Sequence, residues 1–562
     1  MKPDRLVVVL IAVTAVITLI VVGGGGDNGG NGDEDAETAA PEGAIEVSFA
    51  YSPEKEDLLE PLIEDFNASE TKVGKAPVFV QGEVVSSGEA EQAIADGKLQ
   101  PVAWSPASSL WGRLLNYEAD QELTAEDAPS IVRTPLVIAM WEPMARALGW
   151  PDKEIGFADI LTLARSDEGW AAYGRPEFGD FKLVHTNPDF STSGLSAVVA
   201  EYYAATGKRE GLVEADIDGE ARQEVRDIER SIIHYGDTTL FIADQMREGG
   251  PSYASAAAME EVTLLDFNQD RAGQPKLVAI YPKEGTFFSD NPFFVLNGDW
   301  VSPRQQAGAE AFGAFLADRV TPELAAESGF RPADLDERVL APITPENGAD
   351  PSQPKQTLSL PSPPVLAKIR EAWREDRKPA NVMLVVDVSG SMADEDRLKN
   401  AKSGLAVFLQ QIQPQDRVGL TVFDDQVDEL VPIGPFSQNQ QRLKRTIAGL
   451  FPDGGTAFRD ATSEAFSTVE QSAVQGDHIN AVVVLSDGED TDSDLSLDRV
   501  VDELSSQGDS ATQVRVFTIA YAAGAEGAAE ALESIAEASG GQAYEGGTED
   551  IELVYRSISS FF

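Results

Sequence analysis

The sequence predicts an α/β protein built from more than one folded unit, and three observations carry that reading. Its 562 residues exceed what one hydrophobic core organises. Towards the C-terminus, solid apolar runs alternate with amphipathic stretches, the pattern of buried parallel strands joined by helices. In the middle, strand-like segments repeatedly end in hydroxyl-rich loops that lead into helices.

The elements follow in chain order. Leu6 to Val22 is an apolar run without charge. As a helix it spans about 25 Å, enough for a thin or locally adapted bilayer. Lys2 and Arg5 precede it, which keeps the short N-terminus in the cytoplasm. No Ala-x-Ala-like site follows, so residues 1–22 read as an uncleaved signal anchor, with a cleaved secretory signal as the alternative. Residues 23–44 are glycine-rich and acidic, with Gly23-Gly-Gly-Gly26 and Asp33-Glu-Asp35, and read as a flexible linker. The main body therefore lies outside the cytoplasm of a bacterial cell, held by a single-pass helix.

Globular texture begins at Ile45. Ile45-Glu-Val-Ser-Phe49 reads as a strand ending near Ser52, and Leu58, Leu59, Leu62, Ile63 and Phe66 fall at helical spacing behind it. A second strand ends at Ser86-Ser-Gly88, and a helix follows around residues 90–96. A third strand runs into Trp104-Ser-Pro-Ala-Ser-Ser109. Thr134 to Ala139 reads as a crossing strand. Leu183-Val-His-Thr-Asn187 leads through Ser191-Thr-Ser193 into a helix over residues 195–203. Helix N-termini expose amide donors and the positive end of a dipole, so hydroxyls there either cap the helix or meet a ligand. Six prolines between Pro345 and Pro364 mark residues 342–377 as a stiff connector with a short helix over residues 365–374.

The strongest signal lies beyond it. Val382-Met-Leu-Val-Val386 is a buried strand that ends in Asp387-Val-Ser-Gly-Ser391. A loop over the strand tip can aim Asp387, Ser389 and Ser391 at one point, and Gly390 lets it bend. Hard oxygen donors with one carboxylate suit a hard divalent cation, Mg²⁺ first, with Ca²⁺ or Mn²⁺ as the alternatives. Asp453-Gly-Gly-Thr456 adds a hydroxyl after two glycines. Val482-Val-Val-Leu-Ser-Asp487 is another buried strand ending in a carboxylate. Strands over residues 418–423 and 514–519, and helices over residues 442–450 and 526–538, complete a doubly wound parallel sheet with ligands at the carboxyl ends of its strands.

These residues resemble the metal-ion-dependent adhesion site of von Willebrand factor A (VWA) domains: Asp-x-Ser-x-Ser, then a distant Thr, then a distant Asp. The resemblance spans residues 378–562 and implies that Asp387, Ser389, Ser391, Thr456 and Asp487 hold the metal, some through water. It also implies an open coordination position filled by an Asp or Glu of a protein partner. The middle region, residues 45–341, resembles bacterial extracellular solute-binding proteins of the type 2 periplasmic fold, the two-lobed receptors of ABC importers. The segments that match are Trp104-Ser-Pro-Ala-Ser-Ser, the stretch from His185 to Gly194, Tyr281-Pro-Lys-Glu-Gly285, Asp299-Trp-Val-Ser302 and Gly329-Phe-Arg-Pro332. That resemblance implies a ligand between the lobes and makes Ser52, Ser86, Ser108, Ser191, Thr192 and Ser193 the cleft candidates. Ala103 departs from the family, where many relatives place an Asp before the tryptophan.

Composition narrows the function. The chain carries 95 acidic and 43 basic residues, a formal net charge of −52. Such a surface repels nucleic acid and anionic lipid. Without cysteine there are no disulfides, thiolate metal sites or lipid-anchored cysteine. Asp490-Thr-Asp492-Ser-Asp494 lacks the glycine and closing glutamate of an EF-hand. His185, His234 and His478 are scattered, and no phosphate loop or nucleophile elbow is found. The expectation is a non-enzymatic, membrane-anchored extracytoplasmic binding protein with a cation-bridged protein contact. The alternative is a transport-associated receptor for a small polar or oxyanion solute.

Overall fold

The computed structural model describes residues 40–473, 478–507, 513–521, 526–547 and 551–562. The expected membrane helix and nearly all of the glycine-rich linker lie outside them. No helix among the described residues is long and apolar enough to cross a membrane.

The architecture is mixed α/β: a two-lobed domain followed by a domain built on one six-stranded sheet. In the first lobe the strands run in the order Phe294–Val295, Ala103–Ser105, Ile45–Tyr51, Ala76–Val84, Lys72–Val73. The three inner strands are parallel. In the second lobe the order is Leu183–His185, Ala256–Glu260, Thr134–Trp141, Leu277–Ile280. Thr134–Trp141 is fully buried and antiparallel to both neighbours, consistent with a strand that has crossed over from the other lobe. The first lobe's core is aromatic, with the rings of Phe49, Phe66 and Phe312 packed edge to face around 5 Å apart.

The C-terminal sheet has the order Val427–Pro435, Arg417–Phe423, Ala380–Asp387, Ile479–Ser486, Val514–Tyr521, Ala543–Gly546. Every pairing is parallel except that of the edge strand Val427–Pro435, an antiparallel addition the hydrophobic pattern did not reveal. Ala380–Asp387, Ile479–Ser486 and Val514–Tyr521 are buried along their whole length, because helices cover both faces. From Ala380–Asp387 the chain winds outward one way, then returns to lay Ile479–Ser486 on the other side. The switch point of this sheet therefore lies between the two strands that end in Asp387 and just before Asp487. The helix Glu526–Ser539 matches the one expected over residues 526–538. A short strand and a terminal helix, Ile551–Ser559, follow it.

The connector is ordered rather than free-standing. Leu358 N–H donates to Thr286 O, and the Tyr203 hydroxyl donates to Ser359 O, so the segment lies along the second lobe. It ends in a linker helix, Pro363–Asp376, started by two prolines at positions where no amide partner is missed. Arg377 then pairs with buried Asp416, which also accepts Ala380 N–H and fixes the entry to the C-terminal sheet.

Candidate functional site

The C-terminal cradle is assembled by three loops at the switch point. Asp387 is fully buried. Its Oδ1 accepts Ser389 N–H at 2.8 Å and its Oδ2 accepts the Ser486 hydroxyl at 2.6 Å. The hydroxyls of Ser389 and Ser391 are 3.0 Å apart, and Ser391 donates to Asp487 Oδ1 at 2.7 Å. Four of the five expected donors thus form one connected set. The fifth, Thr456, is brought alongside by its loop: Gly390 N–H donates to Gly454 O at 3.1 Å. Gly454 has φ +74°, and a side chain there would strike Asp424; its neighbour Gly455 has no room beside Asp492. The Thr456 hydroxyl has no hydrogen-bond partner among the described residues.

Burial pushes the Asp387 carboxyl up to about 6, against the opposing hydrogen bonds of Ser389 and Ser486 and with a further push from Asp487. A buried carboxylate with no basic side chain paired to it among the described residues, two serine hydroxyls and the Thr456 hydroxyl form a donor set that fits a hard divalent cation. Arg397, at the start of the helix Arg397–Gln411, donates to Asp487 Oδ2 at 2.9 Å. Sequence reasoning missed both Arg397 and Ser486. The first follows the motif by six positions and is brought back by a left-handed turn at Glu395 and Asp396.

The inter-lobe cleft is the second candidate. Ser52, Glu54 and Ser86 line it from the first lobe; Ser191, Thr192, Asp237 and Glu260 line it from the second. The lobes meet beside it, where Gly88 N–H donates to Phe190 O at 2.8 Å. The six nominated hydroxyls are engaged by the protein itself. Ser52 donates to Glu54 at 2.6 Å, and Ser86 reaches Glu89 at 3.4 Å. Ser108 caps its helix by accepting Leu110 N–H and does not line the cleft. Thr192 accepts the Trp111 indole N–H at 2.7 Å, across the lobes. Ser193 lies behind the cleft, bonded to Thr186 and Ser191.

What the cleft presents instead is carboxylate. Glu260 is 4% exposed, and the Ser289 hydroxyl lies 3.4 Å from its carboxylate. Burial, reinforced by Glu54, raises it to about 8, and burial raises Asp237 to about 6. Lys55 is buried nearby but is committed to Ser52, Glu54 and Asn291. This lining disfavours an oxyanion, one of the two expected solute classes, and leaves a small polar solute open. The signal was legible: Ala256-Ala-Ala-Met-Glu260 is an apolar strand ending in a carboxylate, as at Asp387. His185 ends the strand Leu183–His185, paired at 2.9 Å with buried Glu229.

Known proteins match both regions. A family model for bacterial extracellular solute-binding proteins matches residues 47–331, just over half of the chain. A model for the von Willebrand factor type A domain matches residues 382–489. The uncharacterized protein YwmC of Bacillus subtilis (strain 168) is 29% identical over 219 residues, 36% of this chain and 92% of that protein. Calcium-activated chloride channel regulator 4 of Homo sapiens is 30% identical over 155 residues, 26% of this chain but 16% of the relative. Among solved structures, the periplasmic thiamin binding protein aligns with a TM-score of 0.42 at 9% identity, covering 60% of this chain and 96% of that one. The sulfate-binding protein SubI from Mycobacterium tuberculosis H37Rv aligns with a TM-score of 0.38 at 18% identity, covering 55% and 93%.

Proposed function

Because the chain belongs to the bacterial extracellular solute-binding protein family and carries a von Willebrand factor type A domain behind that region, we propose that it is a membrane-anchored extracytoplasmic binding protein whose C-terminal domain recognises an acidic residue of a protein partner through a divalent cation. The observation that supports this reading is the connected oxygen set at the switch point, where Ser391 joins Ser389 at 3.0 Å and Asp487 at 2.7 Å beside buried Asp387.

In this reading Asp387, Ser389 and Ser391 hold the cation from one loop, and Thr456 and Asp487 complete the cradle from two others. Mg²⁺ suits the set, with Ca²⁺ and Mn²⁺ as alternatives. When bound, the cation supplies an open position for an Asp or Glu carboxylate of the partner. Ser486 and the Ser389 amide orient Asp387, and Arg397 orients Asp487. The activity is binding without catalysis. The N-terminal apolar run anchors the protein to the cell membrane with its main body outside. The family makes a small solute the expected ligand of the middle domain, and the carboxylates of its cleft favour an uncharged or cationic solute over an oxyanion.

Calorimetric titration of Mg²⁺, Ca²⁺ and Mn²⁺ into the wild-type protein and the Asp387→Ala variant tests the metal site. Binding to the wild type that is lost in the variant is the expected result. Equal binding by both would sink the cradle as the metal site. Acidic-partner recognition is then tested by chelation, which should abolish partner capture.

A further inference from the structure

We infer that the linker helix and the docked C-terminal domain form a strap that holds the two lobes closed, so that opening of the cleft and undocking of the metal-bearing domain are one event. Arg370 is the centre of the strap. It lies on the linker helix, 2% exposed, and touches both lobes. Its Nη1 donates to Glu118 Oε1 at 3.0 Å and lies 3.5 Å from Glu91 Oε2, both in the first lobe. Its Nε donates to Asp189 Oδ1 at 2.9 Å, in the second lobe. Arg374, one turn on, donates to the other oxygen of Asp189 at 2.6 Å. Asp189 stands two residues before Ser191, at the cleft. The lobes cannot separate there without pulling a buried guanidinium from one set of carboxylates.

The C-terminal domain grips both lobes again through its terminal helix. Arg556 reaches Gln92 of the first lobe at 3.5 Å. In the second lobe, Asn187 donates to Ser560 O at 3.0 Å, and the Phe241 and Phe561 rings stand edge to face at 4.9 Å. Asn187 and Asp189 belong to the same short loop, so one segment at the cleft meets both the linker helix and the chain's last residues. The terminal helix in turn packs on Arg397–Gln411, where the Tyr555 ring lies against Gly404, and that helix begins at the arginine that holds Asp487. A packed, hydrogen-bonded path thus joins the cleft to the metal cradle. A freely opening two-lobed receptor needs neither grip.

The chain has no cysteine, so introduced pairs take spin labels cleanly. Asp57→Cys in the first lobe, Gln269→Cys in the second and Asp498→Cys in the C-terminal domain are exposed positions. Pulsed electron–electron distance measurements on the full-length protein should give one narrow lobe-to-lobe distance. In Arg370→Met a second, longer lobe-to-lobe distance should appear, and the distance from second lobe to C-terminal domain should broaden with it. Arg370→Lys keeps the charge but loses the fork, and should show the same longer component at lower population; it carries the test if the methionine variant does not fold. The inference is overturned if the unsubstituted lobes already sample the longer distance to the same extent. It is equally overturned if folded variants keep the narrow one, or if the lobes open while the C-terminal domain stays in place on the second lobe.

Discussion

Glu260 offers the sharpest test of the cleft. Its carboxyl is 4% exposed at the end of a buried strand and forms no ion pair among the described residues, and burial with the nearby charge of Glu54 raises it from 4.5 to about 8. Below pH 4.5 it is protonated in both folded and unfolded chains and costs nothing. As pH rises through 8 the folded protein must ionise it in place, so the stability it allows at low pH is progressively lost between pH 4.5 and 8. At about 1.36 kcal/mol per pH unit the loss comes to about 3 kcal/mol at pH 7 and roughly 4–5 kcal/mol at pH 9. Glu260→Gln keeps the shape and removes the titration. Thermal melting of both proteins at pH 5 and pH 9 reads the effect. The variant should melt close to wild type at pH 5 and higher at pH 9, on the order of 5–10 °C for a domain of this size. Parallel pH dependence in the two proteins would refute an uncompensated carboxylate in the cleft.

Other consequences follow from particular contacts. A saturating divalent cation at the C-terminal cradle, at about 100 times its Kd, should stabilise the wild type by about 2.7 kcal/mol and leave Asp387→Ala unmoved, read as a difference in melting temperature with and without chelator. Asp416 accepts the Arg377 guanidinium at 2.7 Å and the amides of Ala380 and Gln413 at 2.8 and 2.7 Å. Asp416→Ala leaves a buried cation and two amides unpaired and should cost roughly 3–5 kcal/mol, seen as an earlier melt of the C-terminal domain. Gly404→Ala would place a methyl 2.4 Å from Tyr555 Cδ2 and 3.1 Å from Ile551 O. It should cost about 1–3 kcal/mol and raise amide hydrogen exchange in the terminal helix, while exchange in the first lobe's sheet stays unchanged.

Much of the fold was legible because its signals are local. A buried parallel strand flanked by helices must be apolar throughout, so Val382–Val386 and Val482–Leu485 announced themselves, as did the carboxylates at Asp387 and Asp487 that follow them. The cradle's contiguous loop was legible for the same reason, since Asp387, Ser389 and Ser391 lie within five residues. The edge strand Val427–Pro435 was not, because a half-exposed strand carries polar residues and no solid apolar run. Arg397 was not legible either, since only the turn at Glu395 and Asp396 folds it back on Asp487.

What the sequence by itself determined is the class of protein: two α/β units and an oxygen-rich motif at a strand tip. What tertiary structure alone decided is how the hydroxyls and charges are spent. Thr192 reads from sequence as a helix cap or a ligand contact, yet it accepts the Trp111 indole N–H across the lobes, whereas Ser52 and Ser86 meet near neighbours in sequence, Glu54 and Glu89. Arg370 reads as an ordinary helix arginine, and only the docked arrangement buries it between Glu91, Glu118 and Asp189. The physical reason is range. Backbone pattern and strand burial are set by neighbours in sequence, whereas the pairing of a polar group is settled by whichever distant group the fold brings within about 3 Å.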